Sequence, residues 1–210
     1  MSNENVISLL KKEYPNAKYY LNFSNPLELL VAAIMSAQAR DEVVNATTPA
    51  LFKRYRKAED YAKANLSEFE NIIKSVTFYR NKAKNIKEAC GAIAEKYSGN
   101  VPKTIKELVE LPGVGRKTAN AILINAFDIV SGIPCDTHVI RVSYRLGWTR
   151  NSDTDKIEQD LVKIIPEEDW KTLPYLLKDH GRAVCRAPVP ICSKCILSKL
   201  CPKSGVTKKL

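Results

Sequence analysis

Four of the six cysteines, Cys185, Cys192, Cys195 and Cys201, fall within 17 residues in the pattern C-x6-C-x2-C-x5-C. No other feature constrains the fold of a chain of this size so strongly. In a reducing compartment disulfides do not persist, and thiols this close together read as metal ligands. Pro188 and Pro190 lie between the first two cysteines, so a helix cannot continue there and the segment must loop. A loop can gather thiolates around one centre. Zinc and an iron–sulfur cluster both accept four of them. Structural zinc sites pair two short C-x2–4-C arms, whereas here one C-x2-C is flanked by single cysteines and Pro202 follows the last. That spacing favours a 4Fe-4S cluster, with zinc as the alternative. Cys90 and Cys135 stand apart and read as small buried hydrophobes.

The remainder is the composition of a globular protein. Of 210 residues, 45% are hydrophobic and 27% charged, with 11 Pro and 8 Gly, which excludes collagen-like, low-complexity and wholly disordered classes. The longest uncharged apolar-leaning stretch, Leu29 to Ala39, is shorter than the roughly 20 residues a membrane-spanning helix needs. Met1 to Asn5 carries no basic residue ahead of an apolar run, so no secretory signal is visible. The expectation is a cytoplasmic protein with no membrane partner, nucleoid-associated if prokaryotic.

The formal net charge of +10 favours a polyanionic partner. It is unevenly spread: residues 171–210 hold nine Lys or Arg against Asp179 alone, while residues 151–170 hold seven acids against Lys156 and Lys163. Charge by itself fits a solvated basic surface equally well.

Helical periodicity dominates, predicting an all-α fold. Ser24-Asn25-Pro26 caps a helix running to about Gln38. Val6, Leu9 and Leu10 mark a first helix ahead of it, and a third spans Asp41 to about Tyr55, with Pro49 a kink or break. Ser67 with Glu70, and Thr104 with Glu107, form capping boxes. A long amphipathic helix covers Tyr79 to about Tyr97. Arg116 to about Phe127 forms an apolar, central helix, and Asp136 or Thr137 caps the next. Asp153 to Ile165 and Glu167 to about His180 follow.

Leu111-Pro112-Gly113-Val114-Gly115-Arg116-Lys117-Thr118-Ala119-Asn120 joins two of these helices through a turn with two glycines. The first amides of the second helix lack intrahelical partners and lie at its positive end, so an anionic oxygen can bind there. An ordinary tight helix connection is the plainer reading of a lone G-x-G. The whole decapeptide, however, resembles the helix–hairpin–helix signature of the endonuclease III family of DNA glycosylases. Cys-Asp-Thr-His at 135–138 resembles the family's aspartate motif. Ser36-Ala37-Gln38-Ala39, Phe78-Tyr79-Arg80-Asn81-Lys82-Ala83, His180-Gly181-Arg182 and the cysteine run occur in the family's order. The likeness extends from about Leu21 to Cys201.

This resemblance implies a two-lobed helix–hairpin–helix glycosylase fold with a C-terminal iron–sulfur cluster loop. One lobe would be a six-helix barrel over 20–130, the other a cluster-containing lobe from 1–19 and 131–210, with a cleft between them. It implies a bifunctional glycosylase and AP lyase of base excision repair that removes oxidised pyrimidines from damaged double-stranded DNA, acting as a monomer. Lys117 would be the nucleophile, forming a Schiff base at C1′ and permitting β-elimination. It must be neutral to attack, so its ordinary pKa of about 10.4 needs lowering by burial or by cations such as Arg116. Asp136 would stabilise the positive charge that develops on the sugar; on its residues alone it reads as an N-cap.

The target base must leave the stack and its place be filled. Gln38 and Phe78 match the family positions that enter the duplex, although residue type alone would make Phe78 a core aromatic. Gly113, Gly115 and Arg116 would hold phosphate at the hairpin. Arg182, Arg186 and Lys194 are further candidates for phosphate contact. Cys185, Cys192, Cys195 and Cys201 would hold the 4Fe-4S cluster. His138 and His180 read as structural hydrogen-bonders. The sequence departs from the family's pattern at Arg40, Thr77 and Cys135; the first two flank DNA-facing segments and bear on lesion and opposite-base preference. Two rival readings are a mismatch- or uracil-directed glycosylase of the same superfamily and a non-catalytic, zinc-containing DNA-binding module.

Overall fold

The structure, a computed structural model, describes residues 3–210. Among the described residues there are eleven α-helices and two short 3-10 turns, and no strand. None of the helices is long and apolar enough to cross a membrane. The chain divides into two compact units: Tyr20–Ile129, and the stretch up to Tyr19 together with Val130–Leu210.

The unit Tyr20–Ile129 holds α2 (Pro26–Ser36), α3 (Asp41–Arg54), α4 (Ala58–Lys63), α5 (Leu66–Ile72), α6 (Tyr79–Lys96), α7 (Ile105–Leu108) and α8 (Arg116–Phe127). Its centre is α2, in which every residue from Leu29 to Met35 is buried, packed on α3, α6 and α8. In α8 the run Ala119 to Ile124 is buried likewise. Helices apolar on all sides belong inside a core. Tyr55, Tyr61 and Phe69 stack as a second apolar group, with ring centroids 5.1 to 6.0 Å apart.

The other unit holds α1 (Asn3–Glu13), α9 (Thr137–Arg145), α10 (Thr154–Ile164) and α11 (Leu173–Ala183). Val6, Ile7 and Leu10 of α1 pack with Val139 and Val142, Ile157 and Leu161, and Leu173, Leu176 and Leu177. Cys185 and Leu197 enter the same core, so the cysteine loop is part of the packed interior. A Lys11–Asp169 ion pair at 2.5 Å also holds α1 in place.

Several local expectations shift. Asn25 caps α2 by accepting from the Glu28 amide at 3.0 Å, but the helix stops at Ser36 and Gln38 turns left-handed at φ 52°. Pro49 lies inside α3 without ending it. Asn65, not Ser67, caps α5, accepting from the Glu68 amide at 3.1 Å; asparagine competes well for that position, and it starts the helix earlier. The segment Glu167–His180 is not one helix: a 3-10 turn, Glu167–Asp169, precedes α11, which starts afresh beside Pro174. Proline's fixed φ suits a first helical turn and not an interior.

Candidate active site and cysteine loop

The hairpin is assembled from α7, the turn and α8. Thr104 caps α7, accepting from the Glu107 amide at 3.2 Å while its hydroxyl donates to the Glu107 carboxylate at 2.6 Å. The two glycines of the turn do different things. Gly113 has φ +81°, and a Cβ there would lie 3.0 Å from Asn85 Nδ2 and 3.2 Å from Ile34 Cγ2. It therefore seats the hairpin against α6 and α2. Gly115, the residue before α8, has extended backbone at φ −88°, and a Cβ there would meet nothing within 4 Å.

No side chain caps α8, and no acid stands in its first turn. The uncapped amides and the positive end of the dipole therefore face outward. Gly115, Arg116 and Lys117 are all exposed there, which suits an anionic group arriving from outside. Gly113→Ala is accordingly expected to lower stability by about 1–3 kcal/mol through backbone strain, and Gly115→Ala, which puts a poorer N-cap residue in open space, by about 1 kcal/mol or less. Urea unfolding of the two variants checks this contrast.

Gln38 and Phe78 lie at opposite kinds of terminus of two packed helices. Gln38 follows the C-terminus of α2 and Phe78 precedes the N-terminus of α6; both are left-handed, at φ 52° and 57°. Both are exposed. Phe78 is 60% exposed and so is not a core aromatic. A left-handed φ is uncommon for a bulky residue and marks a specified backbone position.

Lys82, in the first turns of α6, escaped the sequence reading as a functional residue. It is only 5% exposed, and its Nζ donates to the Met35 carbonyl at 2.7 Å. Burial pulls its pKa down to about 8. Its signal in the sequence is positional: Lys82 starts the stripe completed by Ile86, Ala89 and Ile93, all buried.

In the other unit, Asp136 is the N-cap of α9. Its Oδ1 accepts from the amides of His138 at 2.8 Å and Val139 at 2.9 Å, and Oδ2 carries neither bond. Beside it, Cys135 is buried, with its thiol pushed up to about 12 by burial; Cys90 is fully buried in the other unit with the same consequence. Both behave as the small hydrophobes expected of them.

Two arginines one turn apart on α9 fasten the start of the cysteine loop. Arg141 donates to the carbonyls of Cys185 at 3.0 Å and Gly181 at 3.1 Å. Arg145 donates to the carbonyls of Cys185, Arg186 and Pro188 at 3.2, 2.8 and 3.2 Å, and lies 3.3 Å from Cys185 Sγ. Neither arginine figured in the sequence reading, because the i, i+4 spacing of two basic residues usually marks a solvated face.

All four cysteines of the run line one pocket, together with Arg145, His180, Leu197 and Lys203. None is in a disulfide. The Lys203 amide donates to Cys201 Sγ at 3.3 Å, and His180 Nε2 lies 3.5 Å from Cys195 Sγ. The other ring nitrogen of His180 bonds the Tyr14 hydroxyl at 3.1 Å, while His138 Nδ1 is 3.1 Å from Arg141 Nη2; both histidines make the hydrogen bonds expected of structural residues. Among the described residues, no three side chains of ligand type converge as a single metal ion would require.

Lys194 and Arg186 are exposed and Arg182 is half-buried. Arg186 Nε folds back onto the carbonyls of Arg182 at 3.1 Å and Ala183 at 3.0 Å.

The same fold appears in a non-covalent endonuclease III–DNA complex, 42% identical, with a TM-score of 0.91 over 95% of this chain and 94% of that one. A trapped endonuclease III–DNA covalent intermediate matches at 42% identity and a TM-score of 0.90, over 97% of each chain. Endonuclease III of Synechocystis is 49% identical over 95% of this chain and 91% of its own length. Endonuclease III of Bacillus subtilis is 45% identical over 93% and 92%. Residues 31–167 match the HhH-GPD superfamily of base excision DNA repair proteins. The chain belongs to the endonuclease III family. It is a DNA glycosylase and lyase of base excision repair. The superfamily match spans the hairpin and Asp136 but stops before the cysteine run, so the case for the run rests on its thiols and on the relatives matched over nearly the whole chain.

Proposed function

We propose that this endonuclease III family member excises oxidised pyrimidines from duplex DNA, with Lys117 as nucleophile and Asp136 as the essential carboxylate. The observation that carries the reading is the uncapped N-terminus of α8, with Lys117 exposed in its first turn. The lone pair of the neutral Nζ forms a bond to C1′, and the N-glycosidic bond breaks, its electron pair leaving with the base, which takes up a proton. Loss of a proton from nitrogen and opening of the sugar at O4′ give the Schiff base. Removal of a proton from C2′ then expels the 3′ phosphate by β-elimination.

Asp136 answers the charge that builds on the sugar as the base departs. Oδ1 is fixed by two amides, so the carboxylate is preorganised while Oδ2 remains to face the developing cation. Gln38 and Phe78 enter the duplex and fill the space left by the extruded base. The hairpin amides, Arg116, Arg182, Arg186 and Lys194 contact phosphates.

Cys185, Cys192, Cys195 and Cys201 would hold a 4Fe-4S cluster. One C-x2-C flanked by single cysteines six and five residues away suits a centre that offers one iron to each thiolate, whereas structural zinc sites usually pair two short C-x2–4-C arms. N–H groups of Arg145 and Lys203 directed at the sulfurs stabilise thiolate charge. When bound, the cluster supplies a rigid cross-link of the C-terminal loop.

Asp136→Asn tests the assignment, because asparagine preserves the cap and removes the charge. On a duplex carrying thymine glycol, its single-turnover base removal is expected to fall by about 10²-fold or more, with thermal stability unchanged. Asp136→Ala should add a stability loss of about 1 kcal/mol. Base removal at the wild-type rate by Asp136→Asn would reduce the residue to a helix cap.

A further inference from the structure

We propose that Lys82 is a positioning residue for base extrusion: it ties the segment carrying Gln38 to the segment carrying Phe78, so that the two enter the duplex as one unit. The inference rests on the reading of Gln38 and Phe78 as residues that enter DNA.

Lys82 makes one bond to each segment. Its backbone amide donates to the Phe78 carbonyl at 3.2 Å, fixing the left-handed residue that launches α6. Its Nζ donates to the Met35 carbonyl at 2.7 Å, three residues before Gln38. That carbonyl belongs to the last turn of α2, where intrahelical donors run out. The amide one turn further on, Ala39 N, bonds to Ser36 O at 3.1 Å instead. The lysine thus stands in for a missing helical donor just where the chain leaves the helix for the left-handed Gln38.

Electrostatics give the bond a direction. A cation in the first turns of α6 lies near the positive end of that helix, which is unfavourable, whereas the C-terminus of α2 is negative and attracts it. The charge is held at its own helix's wrong end by the partner helix's right end. Fold stability alone does not call for this arrangement, since an apolar side chain would continue the stripe of Ile86, Ala89 and Ile93 without burying an ammonium group.

The junction also includes the hairpin. Gly113 packs on Asn85, three residues after Lys82, and on Ile34, next to Met35. The turn that precedes Lys117 and the two segments bearing Gln38 and Phe78 therefore share one rigid seam between α2 and α6. A shift at the Lys82–Met35 bond displaces the extruding residues relative to the nucleophile's helix.

The test uses a full-length protein on duplexes with 2-aminopurine beside thymine glycol, in which fluorescence rises as stacking is lost. Lys82→Met and Lys82→Gln both remove the long-reach donor, and Lys82→Arg keeps a cation able to donate. Phe78→Ala and Gln38→Ala are run alongside. The expected result is a loss of the fluorescence rise and about a tenfold or greater fall in duplex base removal for the Met and Gln variants. Cutting of a preformed abasic site in single-stranded DNA, which requires no extrusion, should stay near wild type, melting temperature should be unchanged, and Lys82→Arg should recover part of the signal.

Equal losses on the duplex and the single-stranded abasic site, in step with a lowered melting temperature, would overturn the proposal, as would failure of both variants to fold. So would wild-type fluorescence in both while Phe78→Ala or Gln38→Ala lowers it. If the Phe78 and Gln38 variants themselves leave the signal unchanged, the underlying assignment of those residues fails, and this inference fails with it.

Discussion

Lys117→Gln is expected to cut no strand at a lesion or an abasic site while still binding lesion-containing duplex within about tenfold of wild type. Glutamine is polar and nearly as long, but its amide nitrogen has no nucleophilic lone pair. Because position 117 is exposed in the first turn of α8, the change should leave stability within about 0.5 kcal/mol. Binding draws on many phosphate contacts, and removal of one cation should reduce the salt slope by about one unit. Mobility-shift titration at two salt concentrations, together with single-turnover cutting, reads both quantities. A collapse of binding would make Lys117 chiefly a phosphate anchor. Persistent cutting would place the nucleophile elsewhere.

Cys195→Ser is expected to lose its iron and the visible colour that accompanies it, and to loosen the C-terminal loop. Four thiolates around one centre would tie Cys185 to Cys201, and metal binding of this kind contributes on the order of 10 kcal/mol to folding in small thiolate sites. In this protein the effect should be local, because the pocket lies in the core shared by α1, α9, α10 and α11. Limited proteolysis should open the segment after Ala183 first. Cys135→Ser, at a buried thiol outside the pocket, serves as the control and should keep its iron. Undiminished iron in Cys195→Ser would dismiss the ligand set, and stoichiometric zinc in the wild type would replace the cluster.

Much of the site was legible because its parts are local in sequence. The hairpin decapeptide, the Asp136 cap and the cysteine spacing each place chemistry-bearing groups within a turn or two of one another, and helix periodicity located α6 and α8 closely. What escaped depends on long-range contacts. Lys82 meets Met35 across 47 residues, and Arg145 meets the loop more than 40 residues away; nothing adjacent in the chain announces either partner. Phe78 reads two ways, since its residue type alone predicts burial while the resemblance put it at a DNA-facing position; the structure leaves it exposed. Ser67 lost its capping role to Asn65, a case in which two good caps lie two residues apart and local pattern cannot rank them. Pro174 lies in the first turn of α11 rather than interrupting a longer helix, which splits the segment that periodicity alone had joined.

In the proposed reaction Lys117 becomes covalently attached to DNA. Borohydride reduction during turnover of a thymine glycol duplex, followed by proteolysis and mass spectrometry of the cross-linked peptide, tests it directly. One adduct is expected, on the peptide containing Lys117 and on its side-chain nitrogen, formed only with damaged DNA. An adduct on another residue, or strand cutting without any reducible intermediate, would contradict it.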